Sequence, residues 1–274
     1  MKKATEFARK NPSFIVFALL ALAVVGVAVF APFIATHDPY EAVLADAVQA
    51  PSAEHWFGTD KMGRDLFSRV IYGARTSLSA ALLLVCIIMV VGTFLGILAG
   101  YFGGIVDAVI MRVADMMISF PGMVLAIAVA GILGASVTNA VIAIAVVSWT
   151  KYARLARSLV LKIRNRDYIA AAQITGTKIS RILGKYMLPN VLPTILITGA
   201  TDIGSMMLEI AGLSFLGFGA QSPTAEWGLM LNEGRAYMTA APWLMIFPGL
   251  AIFITVVVFN LLGDSLRDVL DPRS

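Results

Sequence analysis

Apolar residues run through this chain in long blocks, not at alternating or narrowly helical intervals. Six windows of predominantly apolar residues stand out, near 14–36, 79–101, 112–134, 138–158, 193–215 and 243–263. A helix of ~20 such residues crosses the ~30 Å hydrocarbon core of a bilayer, so the pattern predicts an all-α integral membrane protein with about six transmembrane helices. The first window is long and lacks a small-residue cleavage site followed by polar chain, so it reads as a retained anchor helix, not a removed leader. Pro32 near its outer end kinks such a helix without preventing insertion.

The pattern changes between the fourth and fifth windows. Tyr168 to Gln173 contains three alanines, the best helix former. Gly176 interrupts it, with Thr177 or Ser180 placed to cap a second helix. Ile179, Ile182, Leu183 and Tyr186 then recur at i, i+3, i+4 and i+7. Pro189 and Pro193 restart the chain into the fifth span. The segment predicts a helix–turn–helix at the membrane surface. Two uses are open to it: docking into a groove on a soluble partner, or resting on lipid as an interfacial helix.

Charge fixes the orientation. With the N-terminus inside, inside segments hold 16 Lys and Arg and outside segments hold 5. Nine of the 16 lie between Lys151 and Lys185, where Asp167 is the single acid. Positive charge collects on the cytoplasmic side, so both termini are placed in the cytoplasm. Lys151, Arg154 and Arg157 fall where a helix emerges into the headgroups, which suits snorkelling. The composition agrees: 59% hydrophobic, 14% charged, mean hydropathy +0.84. The formal net charge of +4 follows from this topology and calls for no nucleic acid.

Catalytic chemistry is missing from the sequence. Cys86 is alone inside an apolar window, which excludes a disulfide framework and a cysteine metal cluster. His37 and His55, eighteen residues apart, match no metal-ligand spacing and read as turn and surface histidines. There is no HExxH, GxSxG or GxxxxGK[ST] motif. No catalytic residue and no metal site is assigned, and the chain reads as a non-enzyme.

Three other features invite a functional reading. Gly92, Gly96 and Gly100 form a small-residue row, either an internal helix contact or a dimer seam. Asp202, Met206 and Glu209 share one face of the fifth span, with Asp202 near mid-membrane and Glu209 towards the outside. An acid there costs on the order of 3 kcal/mol on insertion scales and needs a partner or water. The stripe is either an interhelical hydrogen bond or part of a polar pathway. In the first outside loop, Gly58-Thr59-Asp60 and Gly63-Arg64-Asp65 form two glycine-marked turns. They are read as a plug for the outer mouth or a contact surface for an external protein.

The hairpin resembles the EAA loop of ABC-importer permeases, E-A-A-x3-G-x9-I-x-L-P. Ala171, Ala172, Gly176, Leu188 and Pro189 fall on its slots, while Ala170 replaces the Glu and Tyr186 the Ile. HWFGTDKMGRDLFSRVIYGARTSL (55–78), SFLGFGAQSPTAEWG (214–228) and FNLLGDSLRDVLDP (259–272) are similar to further signatures of the C-type permease in the peptide/opine/nickel importer group. The resemblance implies a type I ABC-importer permease fold in the bacterial cytoplasmic (inner) membrane. Residues 1–78 would be the anchor helix and outside loop. Residues 79–274 would form a five-helix core carrying the coupling loop at about 159–190.

It also implies partners: a second related permease, two cytoplasmic ABC ATPase subunits and an extracytoplasmic substrate-binding protein. ATP and magnesium would be used by the ATPase, with no cofactor bound by this chain. The substrate would be nickel, a metal chelate, a short peptide or an opine, with the stretches around 148–159 and 200–217 closer to metal-chelate members. An ATP-independent channel or secondary transporter is the alternative class. It would call for inverted repeats or charged residues in several spans, whereas buried acids occur in the fifth span alone.

Overall fold

The computed structural model describes residues 11–270. The basic residues of the first ten positions and Arg273, which entered the charge count, lie outside the described residues. Helix α1 spans Pro12–Val29 and leads into the short α2, Ala31–Ile34. Helix α3 runs unbroken from Leu66 to Phe102. At 1.5 Å per residue its 37 residues extend ~55 Å, well beyond a bilayer core. Its first turns belong to the outside face, and its apolar remainder is the predicted second window.

The third predicted span is not one straight helix. It divides into α4, Gly104–Ile118, and α5, Gly122–Leu133, bent by 92°. Pro121 sits at the break and supplies no N–H, while its ring disfavours helical geometry in the residue before it. Helix α6, Val137–Ile163, comes next, with the Ser136 hydroxyl accepting from the Asn139 N–H at 3.0 Å. Among the described residues, four helices are long and apolar enough to cross a membrane, or five if the bent pair is one span. The fourth predicted window, in α6, falls outside that set; its inner half carries Lys151, Arg154 and Arg157.

Helix α7, Asp167–Ile174, is the first arm of the hairpin. The second arm starts with α8, Ile179–Arg181, passes through a π-turn at Ile182–Met187, and continues as α9, Leu188–Phe215. The π-turn has a plain cause. Pro189 lacks an N–H and its ring would collide with the carbonyl four residues back, so the turn before it widens. The hairpin's second arm and the fifth span are therefore one continuous rod.

Helix α10, Trp227–Gly234, is held against α3. Glu226 caps it, accepting from the N–H groups of Gly228 (3.0 Å) and Leu229 (2.8 Å) and from the Ser77 hydroxyl (3.1 Å). The Trp227 indole donates to the Val70 carbonyl at 2.8 Å. Helix α11, Trp243–Leu270, packs along α9. The most extensive contact joins α3 and α6. There Gly92, Gly96 and Gly100 meet Tyr152, Ala156 and Val160, and an added Cβ at Gly96 would lie 2.8 Å from that of Ala156. The glycine row is thus an internal seam.

Candidate functional site

A cavity of about 430 Å³ opens between α3, the α4–α5 bend, α6 and α9, and the predicted stripe lines it. Asp202, Met206 and Glu209 all reach its wall, together with Lys151 and Ser205. Asp202 and Met206 are buried and Glu209 is half-buried. Asp202 is not a free anion. The Lys151 ammonium donates to both carboxylate oxygens, at 2.7 and 2.9 Å, and the Tyr152 hydroxyl donates at 2.9 Å. Glu209 has no hydrogen bond or ion pair among the described residues.

Lys151 and Tyr152 are the residues that sequence reasoning missed. Lys151 reads as a snorkelling end residue, but α6 turns it sideways onto α9. Its companions are paired as well. Arg154 reaches Asp115 at 2.6 Å, and Arg157 makes a two-pronged contact with Asp107, both acids lying on α4. Basic residues at i, i+3 and i+6 on α6 thus tie it to α9 on one side and α4 on the other. The detectable signal is two acids, Asp107 and Asp115, in a stretch whose one other charge is Arg112.

The hairpin forms as helix–turn–helix. Gly176 takes φ +73°, the left-handed value that closes a helix at glycine. Thr177 N–H bonds to the Ala172 carbonyl and Gly176 N–H to that of Gln173, both at 3.0 Å, which is the Schellman arrangement. Neither Thr177 nor Ser180 caps the second arm; Lys178 occupies that position, with no side-chain cap bond. Of the EAA-like positions, Ala172 is buried, while Ala170, Ala171, Gly176, Leu188 and Pro189 are exposed. Ile182 is buried, and Leu183 and Tyr186 are half-buried, as the amphipathic spacing predicts; Ile179 faces out. The most prominent apolar group at the tip is Ile174, 86% exposed.

The outside loop folds into a polar lock. Gly58 and Gly63 have φ of +78° and +75°, and a Cβ at either would strike a backbone carbonyl, of Gln49 and Val43 respectively. Asp60 accepts from Arg64 Nε at 2.6 Å and pairs with Arg69 at 3.3 Å. Glu233 of α10 meets Arg64 at 3.1 Å, Lys61 at 3.4 Å and Arg69 at 3.6 Å. Asp65 caps α3 by accepting from the Ser68 N–H at 2.8 Å. His55, expected at the surface, is buried against Asp65.

The wall has one unpaired carboxylate and the weak thioether donors of Met117 and Met206, with no imidazole or thiolate, which is a poor donor set for a resident metal. Nothing around it resembles a nucleophile with its base. The arrangement suits passage of a solute: a polar, charge-bearing wall between helices, with an exposed hairpin continuous with one of them.

Comparison with known proteins agrees. Residues 92–274 match the family described as binding-protein-dependent transport system inner membrane component. A dipeptide transport system permease protein of Alkalihalophilus pseudofirmus is 43% identical over 272 residues, covering 99% of this chain and 90% of that protein. The nickel transport system permease protein of Escherichia coli K12 is also 43% identical, over 94% of this chain and 92% of its own length. A solved structure of the MetNI methionine ABC transporter, in inward-facing conformations, aligns with TM-score 0.58 at 18% identity, over 73% of this chain and 96% of that one. With this fold, this polar cavity and these relatives, the chain belongs to the binding-protein-dependent transport system inner-membrane component family, as a multi-pass permease subunit of an ABC importer in the bacterial inner membrane.

Proposed function

We propose that this chain supplies half of the pore of an ATP-driven importer, and that the cavity walled by Lys151, Asp202, Met206 and Glu209 is where solute meets protein. A second, related permease provides the facing wall. Two cytoplasmic ATPases, which bind the ATP and magnesium, seat the hairpin of residues 167–187, with Ile174 as the anchor in their groove. An extracytoplasmic binding protein delivers the solute to the outer lock. The ATPases drive alternation between two discrete packings of the pair by favouring one of them. The exposed tip supports this over an ATP-independent channel, which would have no use for an apolar knob at the end of a rod joined to a span.

The solute is a short peptide or a similar zwitterion. The observation that carries this reading is the Lys151–Asp202 pair on the same wall as the unpaired Glu209. An acid stripe alone would suit a bare cation, and the sequence resemblance leans towards nickel or a metal chelate. Yet Asp202 is neutralised by the Lys151 ammonium, which leaves Glu209 as the single carboxylate for a divalent ion. Two of the three Lys151 N–H donors go to Asp202, which leaves the third for a solute carboxylate, while Glu209 can take an amino group. Reconstitution of the full importer with its binding protein in proteoliposomes tests this. ATP-dependent uptake of a labelled dipeptide, with free nickel taken up at background, is the expected result. Nickel uptake with no dipeptide uptake would replace this reading with the metal one.

A further inference from the structure

The fold brings together two histidines that the sequence keeps eighteen residues apart. His37, at the end of the anchor segment, and His55, in the outside loop, converge on Asp65 at the start of α3. One donor atom from each lies within 4.8 Å of the other two. We propose that His37, His55 and Asp65 bind a single divalent d-block ion (zinc, nickel, cobalt or copper) on the outer face, at a site distinct from the transport cavity.

The donor set is the first argument. Two imidazoles and a carboxylate are the ligands such ions take, and three protein ligands leave positions open for water. The geometry is the second. Bonds of ~2.0–2.2 Å put neighbouring donors ~2.8–3.6 Å apart around the ion, from octahedral to tetrahedral geometry. His55 Nδ1 already stands 2.9 Å from Asp65 Oδ1, and His37 Nδ1 stands 3.8 Å from the same oxygen. Closing the second gap takes a small swing of the His37 ring, which leaves its contact with the Thr36 hydroxyl.

Contacts behind the donors hold them in place. Asp65 Oδ2 accepts from the Ser68 N–H at 2.8 Å, which turns Oδ1 towards both rings. The His37 N–H donates to the Ser68 hydroxyl at 3.0 Å, and the His55 N–H to the Ser52 hydroxyl at 3.0 Å. The Asp65 contact orients the ligating carboxylate, and the two backbone N–H contacts hold the chain segments that carry the histidines. Access is built in: the side chains of His55 and Asp65 are 11% and 1% exposed, and that of His37 is 38% exposed. A buried pair with one open arm can capture an ion from the outside. An ion held there closes a loop between residues 37 and 65 and fastens it to the first turn of α3, beside the polar lock.

The test uses the whole importer assembly in detergent, stripped with a chelator and titrated with zinc or nickel alone against a colorimetric competitor. A parallel copper titration is read by electron paramagnetic resonance. The expected result is one more ion per copy of this chain in the wild type than in His37→Ala, with affinity in the variant lower by tenfold or more. The copper spectrum should show coupling to two imidazole nitrogens, reduced to one in His37→Ala. His37 is the decisive position because its exposed ring can be removed without disturbing the core. Asp65→Ser, which can still cap α3, should lose the ion as well. Equal stoichiometry and affinity in wild type and His37→Ala would overturn the proposal, whatever the importer's substrate.

Discussion

The Lys151 ammonium grips both oxygens of the Asp202 carboxylate, at 2.7 and 2.9 Å, from the neighbouring helix. The pair sits on the cavity wall with the acid buried and the Lys151 side chain 57% exposed to the opening. An acid within a span is stable in lipid when it has such a partner.

Removing one partner should therefore cost more than removing both. Lys151→Met leaves a buried carboxylate held by Tyr152 alone and is expected to lower stability by about 2 kcal/mol. That is below the ~3–5 kcal/mol of breaking a fully buried pair, because water screens the exposed lysine. Lys151→Met with Asp202→Asn should recover most of the loss. Thermal unfolding of the detergent-solubilised protein measures both; an additive loss in the double variant would show that the two groups do not interact.

The hairpin separates two kinds of damage. Ile174→Asp alters an exposed tip and should leave insertion and folding intact while ATPase subunits no longer co-purify. Gly176→Pro locks φ near −65° where +73° is needed and removes the N–H that bonds to the Gln173 carbonyl. It should abolish uptake while the protein still inserts. Normal ATPase recovery and transport in both variants would remove the coupling role from residues 167–187.

Glu226 gives a pH dependence with a definite sign. Burial pushes its carboxyl above the usual carboxylate range, although bonds from Gly228, Leu229, Ser214 and Ser77 oppose the shift. Above the unfolded value, the unfolded chain releases this proton while the folded protein holds it. Stability then falls as pH rises, by up to ~1.4 kcal/mol per pH unit, until the folded value is reached. Glu226→Gln should flatten that part of a melting-temperature profile measured upward from about pH 4. An unchanged profile would show that Glu226 is ionised in the fold.

The sequence made the spans legible where apolar runs were long and uninterrupted, and the hairpin legible where alanine, glycine and a 3.6-residue period coincided. It was less informative where a single residue redirected the chain. Pro121 turns one apolar window into two helices bent by 92°. Pro189, read as a restart, instead widens one turn and leaves the rod continuous. The stripe of Asp202, Met206 and Glu209 follows from helical spacing on one element. Lys151 and Tyr152 reach it from fifty residues away, and only the crossing of α6 over α9 brings them there. Convergence of His37 and His55 on Asp65 has the same origin, since spacing along the chain says nothing about a loop that folds back.

The most direct test of the pathway is the rate of ATP-dependent dipeptide uptake by proteoliposomes carrying the full importer with Glu209→Gln or Asp202→Asn. Both substitutions keep shape and remove charge. Each should lower uptake about tenfold, equivalent to ~1.4 kcal/mol, with expression and ATPase assembly unchanged. Wild-type rates in both variants would contradict the account and reduce the acids to packing residues.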